Sequence, residues 1–197
     1  MTILALAASL LLMGPVTLES GKFTITREGK KAGTEQFTIS SRPGGGYIAE
    51  SRMQLTGESS AQSSRMELDE RLNPLSYEYT RGKGVIRVRI NKQSGEYETE
   101  SDGKKSIIDL KFPDNSLIVD NNFFSHYLLL LYKVGEAGGQ LPIFVPQDIQ
   151  LGLATVKAKG NNVFELTIGY VKMEATTDKN GKLIKLSVPE AKVVVER

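Results

Sequence analysis

The sequence predicts a mainly β protein: a single curved antiparallel sheet, a half-barrel or open barrel, wrapped around one apolar helix. Two observations carry that reading. Across residues 22–112 and again across 149–196, apolar and polar residues alternate with a period of two in short runs bounded by Gly, Pro, Asn and Asp. That is the pattern of strands with one buried and one solvated face. Between these regions, residues 120–139 form the one stretch that reads as a long helix. There Phe123, Phe124, Tyr127, Leu128, Leu129, Leu130, Leu131, Tyr132 and Val134 leave no face suited to water. A flat sheet covers one side of a helix, whereas this one needs cover on several sides, and a strongly curved sheet supplies it.

The elements follow in order. Phe23 and Ile25 alternate with Lys22, Thr24 and Thr26, turn residues occupy 28–33, and Phe37 and Ile39 alternate again, which makes a hairpin. Arg42-Pro43-Gly44-Gly45-Gly46 breaks the chain. Ala49, Ser51, Met53 and Leu55 then share one face, and Met66 and Leu68 point inward from the next strand. Residues 75–80, the clean alternation of Ile86, Val88 and Ile90, a polar strand at 96–101 and an apolar one through Ile108, Leu110 and Phe112 continue the meander. Asp102-Gly103 is a favoured two-residue hairpin loop. After Pro113-Asp114-Asn115 comes the helix, placed at 122–134, with Asp120 or Asn121 as its N-cap and Gly135 and Gly138-Gly139 ending it. Residues 141–146 hold Pro142 and Pro146 and suit an edge or crossing segment that protects the sheet or acts as a gate. Four more strands are expected at 149–157, 163–170 continuing toward Met173, 183–188 and 193–196, with Asn180-Gly181 as a type I′ turn.

A chain of 197 residues suits one domain, placed at residues 21–197. Its 25 basic and 23 acidic residues nearly cancel and are interleaved along the strands, so no nucleic-acid partner is expected. The absence of cysteine excludes disulfides, thiol nucleophiles and a lipidated N-terminal cysteine. Residues 1–18 carry no charge and are dominated by Leu, Ala, Ile and Met, which reads as a signal peptide or apolar leader. The expected location is therefore periplasmic or secreted, with contact to a membrane only through the leader.

Motifs that would fix a reaction are missing. Ser125-His126 suggests a nucleophile and base, with Asp109, Asp114 or Asp120 as third member, but adjacent helical residues do not face each other and no Gly-x-Ser-x-Gly elbow occurs. His126 reads instead as a hydrogen-bonded residue at the helix start or the mouth of a cavity. Asp178-x-Asn180-Gly181 resembles a calcium loop, but Pro189 stands where the bidentate Glu belongs. With one histidine and no cysteine, neither a metal nor a cofactor is expected. The leading expectation is a non-enzymatic protein that binds a lipid or other apolar molecule inside the curved sheet. The candidate lining is Met53, Met66, Tyr77, Tyr79, Phe123, Phe124, His126, Tyr127, Phe164, Tyr170 and Met173. The alternatives are a cell-envelope structural or interaction module with a packed interior and an envelope protein as partner, and, third, a hydrolase using His126.

The leader, the β-meander, the run Asp120-Asn121-Asn122-Phe123-Phe124-Ser125-His126 opening an apolar helix, and Phe144-Val145-Pro146-Gln147 resemble uncharacterised bacterial secreted proteins grouped as domains of unknown function. That resemblance implies export and carries no activity. More loosely, the architecture resembles the lipoprotein-localisation carriers, whose curved sheet wraps helices and holds acyl chains. No residue motif is shared with them, so no functional residue is carried over.

Overall fold

A computed structural model describes residues 16–197 and resolves the alternation into fifteen strands and one helix. The first eight strands are β1 (Thr17–Arg27), β2 (Lys30–Ser41), β3 (Tyr47–Leu55), β4 (Gln62–Leu68), β5 (Pro74–Arg81), β6 (Gly84–Asn91), β7 (Ser94–Ser101) and β8 (Lys104–Lys111). A two-residue strand, β9 (Leu117–Ile118), precedes the helix α1 (Ser125–Val134). Then follow β10 (Gly139–Val145), β11 (Gln150–Gly160), β12 (Val163–Ile168), β13 (Val171–Thr177), β14 (Leu183–Val188) and β15 (Val193–Glu196).

All fifteen strands belong to one sheet that does not close, with β8 and β9 at its two ends. The first described strand, β1, lies at mid-sheet, and the chain meanders outward from it to β8. It then crosses to the far end through β9 and α1 and meanders back from β10 to β15, which pairs with β1 through Ile25 opposite Val195. Every pairing is antiparallel except β9 with β10, where Leu117 lies opposite Ile143. Two parallel neighbours need a long crossover, and α1 supplies it.

The inward positions form rows across the sheet. Ile39, Ala49, Met66, Tyr77, Val88 and Tyr97 line up in register on one face, all 5 % exposed or less. On the other arm Ala175, Leu186 and Val195 do the same, and Leu166 lies opposite Met173 in the next row. In β10, Ile143, Phe144 and Val145 are all buried, so both faces of that strand are covered. Phe144 meets Tyr97 and Phe112 edge-on at 6.1 and 5.1 Å between ring centroids, and the Tyr97 hydroxyl donates to the Pro146 carbonyl at 2.9 Å. The arm running to β8 thus folds back over β10.

Several sequence expectations change. β10 is an internal strand, not an edge. The Phe144 carbonyl accepts from the Val119 N–H at 3.0 Å, so the backbone groups of Pro142 face that same side, beyond the reach of the two-residue β9. The missing N–H therefore costs no ladder bond. The strand expected to run on from Val163 breaks at Gly169 and Tyr170 into β12 and β13, which gives five strands after β10. Asn180 is not in the left-handed region. Gly181 is, at φ 77°, and the Asp178 carboxylate accepts from the N–H groups of Asn180 and Lys182, which closes a longer loop than a type I′ turn. Thr17 and Leu18, assigned from the sequence to the leader, are part of β1, so the domain starts before residue 21. Residues 1–15 of the expected leader lie outside the described residues.

Gly46 shows how tightly one turn is built. Its φ is +85°, and a Cβ there would stand 2.1 Å from the Leu68 carbonyl oxygen. Gly46→Ala is expected to cost about 2 to 3 kcal/mol in equilibrium denaturation, from strain and overlap together.

Candidate functional site

The inner face of β2 to β5 is not wholly apolar. Phe37, Ser51, Ser64 and Tyr79 are in register across four strands, and Glu35, Met53 and Gln62 form the next row. Glu35, Ser51, Gln62 and Ser64 are all buried. They meet the start of α1, where Ser125 and His126 are 3 % and 1 % exposed.

Glu35 caps the helix from a neighbouring strand. Its carboxylate oxygens accept the N–H groups of Phe124 at 2.7 Å and Ser125 at 3.1 Å, two of the donors a helix leaves free at its first turn. Neither Asp120 nor Asn121 is the cap, and the helix begins at Ser125, three residues later than the sequence suggests. Asp120 instead turns the chain just ahead of it, accepting from the N–H of Asn122 at 2.8 Å. Burial pushes the Glu35 carboxyl up to about 7 against the opposing pull of its hydrogen bonds, the Ser125 hydroxyl first among them. The Ser125 and Ser51 hydroxyls are 2.6 Å apart.

His126 is held by both ring nitrogens. Nδ1 accepts the Asp120 backbone N–H at 3.0 Å, which puts the proton of the neutral ring on Nε2, 3.4 Å from the Ser64 hydroxyl. Burial holds the imidazole down at about 4, with the Asp120 charge opposing. This tautomer is the reverse of the one a serine nucleophile needs, because the base nitrogen facing the hydroxyl already carries a proton. The Asp120 carboxylate accepts from the Tyr77 hydroxyl, the Gln147 amide and Asn122, not from the imidazole. Asp114 accepts from Gln93, and Asp109 lies on exposed β8. The arrangement anchors a helix start by hydrogen bonds. Among the described residues no three His, Asp or Glu side chains converge as a metal site would require.

Most of the candidate lining does come together. Met53, Met66, Tyr77, Phe123, His126, Tyr127, Phe164 and Met173 are buried, and Tyr79 and Phe124 pack partly buried against them. Four of them meet directly: Phe123 stacks on His126 at 5.6 Å, and Tyr77 and Tyr79 meet His126 and Phe123 edge-on at 5.9 and 6.2 Å. Tyr170 is the exception, 87 % exposed at the tip between β12 and β13, because the turn the alternation did not reveal takes it off the inner face. Clefts on the surface are lined mostly by polar and charged residues, with some apolar surface among them. One of about 360 Å³ lies on the outer face among Glu50, Arg52, Ser63, Arg65, Glu78 and Thr80, and one of about 250 Å³ lies between the helix C-terminus and residues 177–181. Glu35, Ser64 and Gln147 were missed as members of the site. For Glu35 and Ser64 the signal was present, a polar residue in the inward phase of an alternating strand.

Compared with family models, curated proteins and solved structures, the chain matches none.

Proposed function

We propose that this protein is a non-enzymatic module of the bacterial cell envelope whose interior is filled by its own helix and whose binding takes place on its outer surfaces. The observation that supports this most directly is the enclosure of α1: from Ser125 to Leu131 no residue is more than 6 % exposed. The space that a lipid would take in a carrier of this shape is occupied by Leu128, Leu129 and Leu130. Interiors packed in this way leave little room for a ligand without displacing a side chain. The uncharged apolar run ahead of β1, residues 1–16, supports placement outside the cytoplasm.

A second reading keeps the apolar carrier. It is favoured by the methionines Met53, Met66 and Met173 on the inner wall, which adapt to a new occupant at low cost, and it makes α1 a plug that a lipid displaces. Native mass spectrometry of the protein purified from a cell envelope, followed by lipid extraction, separates the two. The expected result is the mass of the polypeptide alone and no uptake of a fluorescent fatty acid. A stoichiometric co-purifying lipid would overturn the packed-module reading in favour of the carrier.

A further inference from the structure

β8 is the terminal strand of the sheet, eight residues long, paired on one side with β7 in a register without a bulge. It carries no proline, and every residue from Lys104 to Asp109 is exposed. An edge of this length with free backbone groups is a template for another strand. Which groups are free follows from the ladder. The Phe112 N–H donates to the Gln93 carbonyl at 2.9 Å, so even-numbered residues of this run turn their N–H and C=O toward β7. The odd-numbered residues Lys105, Ile107 and Asp109 turn theirs outward, and their side chains share the outer face of the sheet.

The charges on that face are matched almost everywhere. Arg87 pairs with Glu78, Glu98 and Glu100, and Arg89 with Glu96 at 2.7 Å. Lys105 reaches Glu98 at 2.8 Å, and Glu98, only 3 % exposed, is covered by these cationic arms. Lys111, at the end of β8, makes no ion pair among the described residues, and Asp109 breaks the pattern further. Its cross-strand neighbour is Glu96, a like charge, and it makes no ion pair among the described residues.

We propose that β8 is a homodimer edge: two copies pair antiparallel about a two-fold axis at Ile107, extending the sheet from one chain into the next. In that register Ile107 faces its own copy, and Lys105 of each chain faces Asp109 of the other. The three pairs 105–109, 107–107 and 109–105 are those whose backbone groups both point outward, so each exchanges two hydrogen bonds. Shifting the register by one residue would oppose outward groups to inward ones and fails. The exposed side chains gain as well, since Ile107, 50 % exposed, meets an apolar partner, and Lys104 lies opposite Leu110 and not another lysine. The contact is isologous, as a two-fold dimer requires. A single edge buries less than the roughly 1,600 Å² of a standard interface, so association in the micromolar range is expected. The inference names one partner for the outer surface but rests on β8 alone, so a lipid found in the interior would leave it standing.

Sedimentation velocity on the full chain, from micromolar to near-millimolar concentration, tests it. The wild type is expected to shift from monomer to dimer, less so at high salt. Asp109→Lys places lysine opposite lysine at both ends, and Lys105→Asp places aspartate opposite aspartate. Each is expected to weaken self-association by about tenfold or more. Mixing the two variants restores both ion pairs, so the mixture is expected to form a heterodimer that neither forms alone, a gain that misfolding could not produce. A wild type that stays monomeric throughout, a dimer indifferent to both substitutions, or a mixture that stays apart would each overturn the proposal.

Discussion

Replacing Leu129 by alanine is expected to lower stability by about 3 to 5 kcal/mol and the thermal midpoint by roughly 10 °C. Consecutive residues of an α-helix point about 100° apart. Leu128, Leu129 and Leu130 are nonetheless all fully buried, so α1 is covered over most of its circumference. A helix laid on a flat sheet would leave one of the three in water. Leu129 therefore loses both its transfer energy and its packing partners when truncated, and a surrounding sheet fixed by ladder bonds cannot collapse into the void. Ile184, 40 % exposed on β14, provides the comparison, and Ile184→Ala is expected to cost under about 1 kcal/mol. Chemical denaturation of the two variants decides the matter. Equal costs would mean that α1 is not enclosed.

How the sheet and the helix came to be legible, and the helix start did not, follows from the range of the forces involved. Alternation such as Ile86, Val88, Ile90 reports a buried face directly, because each side chain answers to its own strand. The run of leucines in α1 likewise declares its own need for cover. The cap does not declare itself: Glu35 and Phe124 are 89 positions apart, and only the pairing of β2 with β3 and the folding of the sheet over the helix bring them together. Local rules favoured Asp120 and Asn121 for that role because they sit next to the apolar run. Tyr170 misled for a related reason. Its phase matched the inward set, but a two-residue turn before β13 reset the phase, and Gly169 was its one local mark. At β8 the sequence shows the lysines and the isoleucines, while the free backbone groups that give them a use appear only with the strand order.

Two of the buried titrating groups, Glu35 and His126, predict a pH response that the wild type conceals. Glu35 titrates near 4.5 when unfolded and is raised to about 7 in the fold by burial, so the native state holds the extra proton between those values. Its stabilising contribution is complete below pH 4.5 and is lost as pH rises through 7. His126 moves the other way, from 6.5 down to about 4, chiefly through burial. Its contribution is present above pH 6.5 and is lost as pH falls through 4. Each swing is worth about 3 kcal/mol in full. Across their common window the slopes oppose, so these two groups leave wild-type stability nearly flat there. Removing either partner exposes the other. Glu35→Gln is expected to gain about 3 kcal/mol relative to wild type as pH rises from 4.5 to 7, and His126→Asn to lose about as much relative to wild type as pH rises from 4 to 6.5. The exposed carboxylates titrate alike in all three proteins and drop out of the difference. Because His126 is the only histidine, the Glu35→Gln trace has no second imidazole to confuse it. Urea midpoints measured across this range should therefore diverge in opposite directions for the two variants. Parallel curves would mean that Glu35 or His126 is solvated, and that the helix start is not sealed against the sheet.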